Sequence, residues 1–291
     1  LERAIAAFGS IWALDAHRLE LLVAAFSLPG IEALAEARAP KSPTPSAARG
    51  NVAVIPVYGV LAQRGNLLMD ACGPGASSTE VLGQAIDAAL ADPSVRSIVL
   101  DVDSPGGSVY GIQELADAIF AARQQKPIAA VANAQASSAA YWLASAAHEI
   151  YVTPSGEVGS IGVYGTHVDT SKADEAAGKA TTVISAGKFK AEGLGPLTDE
   201  ARAHLQSRID AYYTTFVKAV AKHRGVGVDA VRSGFGEGRT VGAQAALDAG
   251  MVDGVATLAD VISKYARRTP ETANRSRALE ARVAIAAAGV R

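Results

Sequence analysis

Three stretches of this 291-residue chain hold residue types that could do chemistry together. The first centres on Ser138, in A-S-S-A-A-Y-W, after an apolar run at Ile128–Val131. A serine at the start of a helix is ordinarily an N-cap, accepting a hydrogen bond from a free backbone N–H. It can also be a nucleophile presented at a strand–turn–helix junction, and a hydroxyl near neutral pH then needs a base. The second stretch, S-A-G-K-F-K-A-E-G, carries Lys188 and Lys190. A lysine is ordinarily a solvated surface group. It serves as a base only where burial or a nearby cation brings its pKa toward neutrality. The third stretch is D-S-P-G-G-S at 103–108. Gly106 and Gly107 let a backbone N–H face a ligand without side-chain obstruction, which is what an oxyanion hole requires. The same pair also serves ordinary tight turns.

The histidines compete with the lysines for the base. His148 falls near the end of the Ser138 helix, ~15 Å from Ser138 by helical rise, which excludes it if that helix forms. His204 and His223 lie off the apolar stripe of a later helix and are expected to face solvent. His167 follows a strand and precedes Asp169, so a Ser138–His167–Asp169 set stays open.

These residues need elements to position them. Val52–Val60, Val95–Val102, Ile128–Val131 and Ile150–Val152 read as buried strands, with Pro56 marking an edge or a bulge in the first. Helices are expected at Thr79–Ala91, capped by Ser78 or Thr79, at Val109–Gln124, and from Ser138 to Ala147. Strands alternating with helices in this way imply right-handed crossovers and a mainly parallel sheet, an α/β class. Further strands are expected at Ser160–His167 and Thr181–Ser185. A long helix follows, capped by Thr198, with Leu205, Ile209, Tyr212, Tyr213, Phe216, Val217 and Val220 as its apolar stripe and Gly225 as its stop. Short helices close the series at Ala243–Ala249 and Leu258–Ala266. Residues 1–36 show helical spacing and form an N-terminal arm. Residues 37–50, with three prolines, have linker composition. The main domain runs from 51 to 265, and 266–291 is a basic Ala/Arg-rich tail.

Composition narrows the class. At 49% hydrophobic and 19% charged residues, a sizeable core is available and global disorder is not expected. A net charge of −2 gives no argument for nucleic acid as a partner. The single cysteine, Cys72, allows no disulfide within the chain, and its turn-like D-A-C-G-P-G setting lacks the electropositive surroundings of a reactive thiol. No run of 18 apolar residues predicts a membrane span. The first 30 residues lack a signal-peptide pattern. No cofactor or metal is expected.

Taken in order, V-L-D-V-D-S-P-G-G-S, A-S-S-A-A-Y-W-L-A-S-A-A, the P-x4-G-S-I-G-V segment Pro154–Val163, S-A-G-K-F-K and G-R-T-V-G-A-Q-A-A-L-D-A-G-M-V-D resemble the signal peptide peptidase A family over about residues 52–265. The resemblance implies a ClpP/crotonase-like fold of repeated β-β-α and βαβ units, with a Ser–Lys dyad. By motif match the nucleophile falls on Ser138 and the base on Lys190, with Lys188 as the alternative. The oxyanion donors fall on the N–H groups of Gly107 and Ala139. The family's usual glycines are replaced here by Ala139 and Ala140. An extended substrate would then add to the strand edge at Gly106, Ser108 and Val109. The W-A-L segment of the arm resembles the tailed-phage head maturation proteases. That branch implies polypeptide substrates, a homo-oligomer with sites near protomer interfaces, capsid, portal or scaffold partners, and work in the host cytoplasm or inside the prohead. The rivals are a cytosolic signal-peptide or membrane-fragment peptidase, a crotonase-type acyl-CoA enzyme, and a non-catalytic assembly scaffold.

Overall fold

The computed structural model describes residues 11–14, 47–64 and 77–267. Its elements, in chain order, are β1 (Ile11–Leu14), β2 (Ala47–Arg49), β3 (Val52–Ala62), β4 (Ser77–Ser78), α1 (Thr79–Ala91), β5 (Ser97–Ser108), α2 (Ile112–Ala122), β6 (Ile128–Ser137) and α3 (Ala139–Ser145). There follow β7 (Glu149–Val152), β8 (Glu157–Gly159), β9 (Tyr164–Gly165), α4 (Ser171–Ala176), α5 (Asp199–Arg224), α6 (Val228–Gly234), β10 (Thr240–Gly242), α7 (Ala243–Asp248), β11 (Gly254–Val255) and α8 (Leu258–Ala266).

The centre is a parallel ladder in which β3, β5, β6 and β7 lie side by side, and β11 continues it beyond β7. Strands β1, β2, β9 and β10 join antiparallel at its margins. Side chains alternate across a strand, and here both faces are covered. Ala53, Ile55, Val57, Ile98, Leu100, Val102, Ala130 and Ala132 pack with α1, α2 and α3. Val52, Val99, Ala129 and Val131 pack on Val261, Ile262 and Tyr265 of α8. Burial on both faces is why these strands read as continuous apolar runs. The α/β class with a mainly parallel sheet is therefore as expected.

Local signals set most of the boundaries. Ser78 caps α1, its Oγ accepting the Val81 N–H at 3.4 Å. Thr198 caps α5, accepting the Ala201 N–H at 3.1 Å, and Gly225 ends it at φ 67°. Pro56 pairs with Asp101 of β5, while its other side falls between the β2 and β4 pairings, and the β3–β5 register shifts just beyond it, between Tyr58 and Val60.

Several expectations need correction. Ile11–Leu14, inside the arm read as helical, is a strand, because two strands offer it hydrogen-bonding partners and tertiary pairing overrides a helical spacing. Ala47–Arg49, read as linker, pairs with β3, so ordered structure begins before residue 51. The strand expected at Thr181–Ser185 does not form; those residues are exposed. The strand expected at 160–167 is reduced to Tyr164–Gly165. The short helices α4 and α6 were not anticipated. The rest of the arm, residues 37–46, Cys72 and the tail beyond 267 lie outside the described residues.

Candidate active site

Ser138 is the single residue between β6 and α3, at φ 55° and ψ −119°. Its side chain makes no capping bond, so the ordinary use of a serine at a helix start does not apply. Left-handed φ is uncommon outside glycine, and a residue held so costs on the order of 1–3 kcal/mol unless its surroundings fix it. The surroundings do fix it. The Ser138 N–H donates to the Gly159 carbonyl at 2.6 Å, its own carbonyl accepts from the Trp142 N–H at 3.0 Å, and its Oγ donates to the Gly162 carbonyl at 3.4 Å. A sharp, strained strand-to-helix turn is the conformation that lifts a serine hydroxyl out of its helix as a nucleophile.

The small residues around it follow from close packing. Every residue of α3 is buried, and Trp142 stacks on Phe216 of α5 with ring centroids 4.6 Å apart. Gly106, at φ 97°, passes so close that a Cβ there would stand 2.9 Å from the Ser137 carbonyl oxygen and 3.0 Å from the Ala139 nitrogen. Ala139 and Ala140, by contrast, are helical and absent from the positive-φ positions. The backbone there has no need of glycine, and the departure from the family pattern leaves the turn intact.

The stretch at 103–108 is pinned from within. Ser104 Oγ donates to the Gly59 carbonyl at 2.6 Å and accepts the Gly106 N–H at 3.2 Å. Gly107 lies between β3 and β1, and a Cβ on it would meet the Leu61 backbone. The expected substrate edge is filled by the chain itself: Leu14, Ala13 and Trp12 pair antiparallel with Gly106, Gly107 and Ser108, and the Val109 N–H donates to the Ile11 carbonyl at 3.5 Å.

Neither lysine is hydrogen-bonded to Ser138, whose Oγ donates to the Gly162 carbonyl instead. Lys190 is exposed, on a turn in which its N–H donates to the Gly187 carbonyl at 3.1 Å. Lys188 Nζ pairs with Glu200 at 3.2 Å and lies over the Phe189 ring, also exposed. Around them, Val183, Ile184, Phe189 and Leu194 present apolar surface to solvent, Ile184 at 94% and Leu194 at 70% exposure.

The histidines part from Ser138 too. A ring nitrogen of His167 bonds the Gly195 carbonyl at 2.9 Å, and Asp169 accepts from the Ser171 N–H and hydroxyl, so no Ser138–His167–Asp169 set is assembled. His148 Nδ1 accepts the Ile128 N–H, at the start of β6, opposite the end that bears Ser138. His204 is exposed as expected. His223 is not: it is buried, 2.9 Å from Ser145 Oγ and stacked on Phe120. Its place at i+3 from Val220 and i+7 from Phe216 continues the apolar stripe of α5 into α3. Burial, and then the Lys222 and Arg123 charges, lower its pKa to about 4.

Sequence reasoning missed the carbonyls of Gly159 and Gly162, which hold the serine backbone and hydroxyl, and Ser160 between them at φ 52°. The signal was present in P-x4-G-S-I-G-V, quoted as a motif without a role. Among the described residues, no group of three or more His, Cys, Asp and Glu side chains is placed to hold a metal ion, and no helix is long and apolar enough to cross a membrane.

The chain is 37% identical over 219 residues to the head-tail preconnector protein GP5 of Enterobacteria phage P21, covering 74% of this chain and 42% of that one. It is 36% identical over 214 residues to the capsid assembly protease C of Escherichia phage lambda, covering 73% and 48%. It therefore spans less than half the length of either. A solved ClpP1 mutant from Listeria monocytogenes covers 79% of this chain and 96% of its own at 13% identity and a TM-score of 0.44, a likeness too weak to add to the topology. Residues 121–270, just over half of the chain and bearing both Ser138 and Lys190, match the model of peptidase family S49, and the chain belongs to that family.

Proposed function

We propose that this chain is the peptidase part of a serine endopeptidase acting in phage head maturation. Ser138 attacks a peptide carbonyl, the N–H groups of Gly107 and Ala139 stabilise the oxyanion, Lys190 takes and returns the proton, and water releases the acyl-enzyme. The observation that carries the reading is the strained Ser138 backbone, left-handed and without a capping role. Membership of family S49 and the two phage relatives, one of them named a capsid assembly protease, support the reaction class and the setting.

The base must be desolvated to act, whereas Lys190 is exposed in a single chain. The apolar surface of Val183, Ile184, Phe189 and Leu194 on the same segment supports a homo-oligomer in which a neighbouring copy buries the lysine and completes the dyad. The substrates are polypeptides, with capsid, portal or scaffold components as the partners, and the site of action is the host cytoplasm or the prohead interior. The test is a serine-reactive phosphonate read by mass spectrometry. One adduct, on Ser138, is expected. A folded chain that takes up no phosphonate would instead fit a crotonase-type enzyme or an assembly scaffold.

A further inference from the structure

The strand β1 occupies the place in which the proposed mechanism needs a substrate. An extended peptide binds a sheet edge by adding as a strand, its backbone supplying the hydrogen bonds. Ile11–Leu14 does this between two strands at once. Ile11 and Trp12 pair with Gly165 and Tyr164 of β9, while Trp12, Ala13 and Leu14 pair with Ser108, Gly107 and Gly106 of β5. All four side chains are buried, at 4% exposure or less.

The register identifies one peptide bond. Opposed residues in an antiparallel pair alternate between those that exchange hydrogen bonds and those that do not. The Val109 N–H donates to the Ile11 carbonyl, so Ile11–Val109 is a bonded pair. Two residues along, the same alternation sets the Gly107 N–H against the Ala13 carbonyl. Gly107 is one of the two assigned oxyanion donors. The other, the Ala139 nitrogen, stands 3.0 Å from the point where a Gly106 Cβ would lie, and the Ala13 carbonyl oxygen is nearer still to that point. Of the four carbonyls of β1, that of Ala13 is thus the one the register sets against the Gly107 N–H.

We infer that the chain is its own substrate, cut by Ser138 between Ala13 and Leu14. This rests on the reading of Ser138 as nucleophile. The Ser138 oxygen bonds to the Ala13 carbonyl carbon as its proton passes to the base. The carbon–nitrogen bond to Leu14 breaks, and the base gives the proton to the departing Leu14 amine. Water then adds to the ester, releasing an Ala13 carboxylate and restoring the serine. Until β1 is cut or leaves, no other peptide can pair with Gly106–Ser108, so the same contact restrains the enzyme. The register also states a substrate class: extended segments with a small residue at the cut, a large apolar residue before it and an aliphatic one after it.

The test incubates the full chain and its Ser138→Ala variant and reads intact masses and new N-termini. In parallel, both are treated with the phosphonate probe, and a synthetic peptide of residues 8–19 is offered to each. Wild type is expected to yield a new N-terminus at Leu14 and to cut the peptide between Ala13 and Leu14. The Ser138→Ala chain stays whole, and a peptide carrying Ala13→Glu is not cut. Phosphonate labelling at Ser138 with both β1 and the peptide left whole would overturn this inference and leave the peptidase reading standing. Cutting at another bond of the segment would overturn the register. Absence of labelling with β1 and the peptide both left whole would remove both proposals together.

Discussion

Replacing Gly107 by alanine tests whether the turn at 103–108 holds an oxyanion donor or is only a tight corner. A Cβ at 107 would stand 2.6 Å from both the nitrogen and the carbonyl carbon of Leu61, and closer still to its carbonyl oxygen, where ordinary contact begins at 3.4 Å. All three atoms are backbone of β3, so no side chain can swing aside and β5 must move by more than an ångström. Overpacking of this kind costs ~1–3 kcal/mol of stability, a fall of roughly 2–12 °C in Tm for a domain of this size. The chemical cost is expected to be larger, because the N–H that moves is the one assigned to the oxyanion. Loss of one such donor lowers kcat by about 100- to 1,000-fold. The assay is cleavage of an unfolded protein substrate, measured at a temperature where a thermal melt shows the variant folded. Gly83→Ala is the control. Gly83 lies in α1, the nearest atom to its would-be Cβ is Leu115 Cδ1 at 3.9 Å, and the change is expected to add ~0.5–1 kcal/mol of stability without altering the rate. A folded Gly107→Ala chain cutting at the wild-type rate would refute the oxyanion assignment.

Two further expectations follow from the base and the buried histidine. Lys190→Ala should slow phosphonate labelling of Ser138 by about 100-fold or more, the range for a lost general base. Lys188→Ala removes only an exposed ion pair with Glu200 and should change the rate little; equal loss from both would mean that a two-residue dyad is too simple. His223 has a folded pKa lowered to about 4, from an ordinary 6.5, so the folded state holds it neutral while the unfolded chain protonates it. Its contribution is present above pH 6.5 and is lost as pH falls from there toward 4. Denaturant titrations of wild type and His223→Gln across that window should show a flatter acid slope in the variant. Parallel slopes would contradict the assignment.

The central ladder was legible because its strands are buried on both faces and alternate with helices of ordinary length. Thr198, Ser78 and Gly225 marked helix ends by local chemistry alone, and the structure uses each of them so. The proposed nucleophile was legible only in company: Ser138 alone reads as a cap, and the family motifs reversed that reading. The strained backbone that supports the choice has no sequence signature, since it arises from Gly159 and Gly162 carbonyls some twenty residues downstream. The strand Ile11–Leu14 was illegible for a related reason. Its conformation is set by edges contributed from residues 106–109 and 164–165, and nothing within four residues announces them. His223 could have been placed by extending the apolar stripe of α5 one more turn.

Every catalytic role proposed for this chain depends on Ser138 acting as the nucleophile. The direct measurement is stoichiometric labelling of the folded chain with a serine-reactive phosphonate, the adduct located by peptide mass spectrometry and the same reaction run on Ser138→Ala. The expected result is one adduct per active site, on Ser138, absent from the variant, whose melt stays close to wild type because the hydroxyl's bond to Gly162 is a long one of 3.4 Å. An adduct on another serine, or full peptide cleavage by the Ser138→Ala chain, would contradict it.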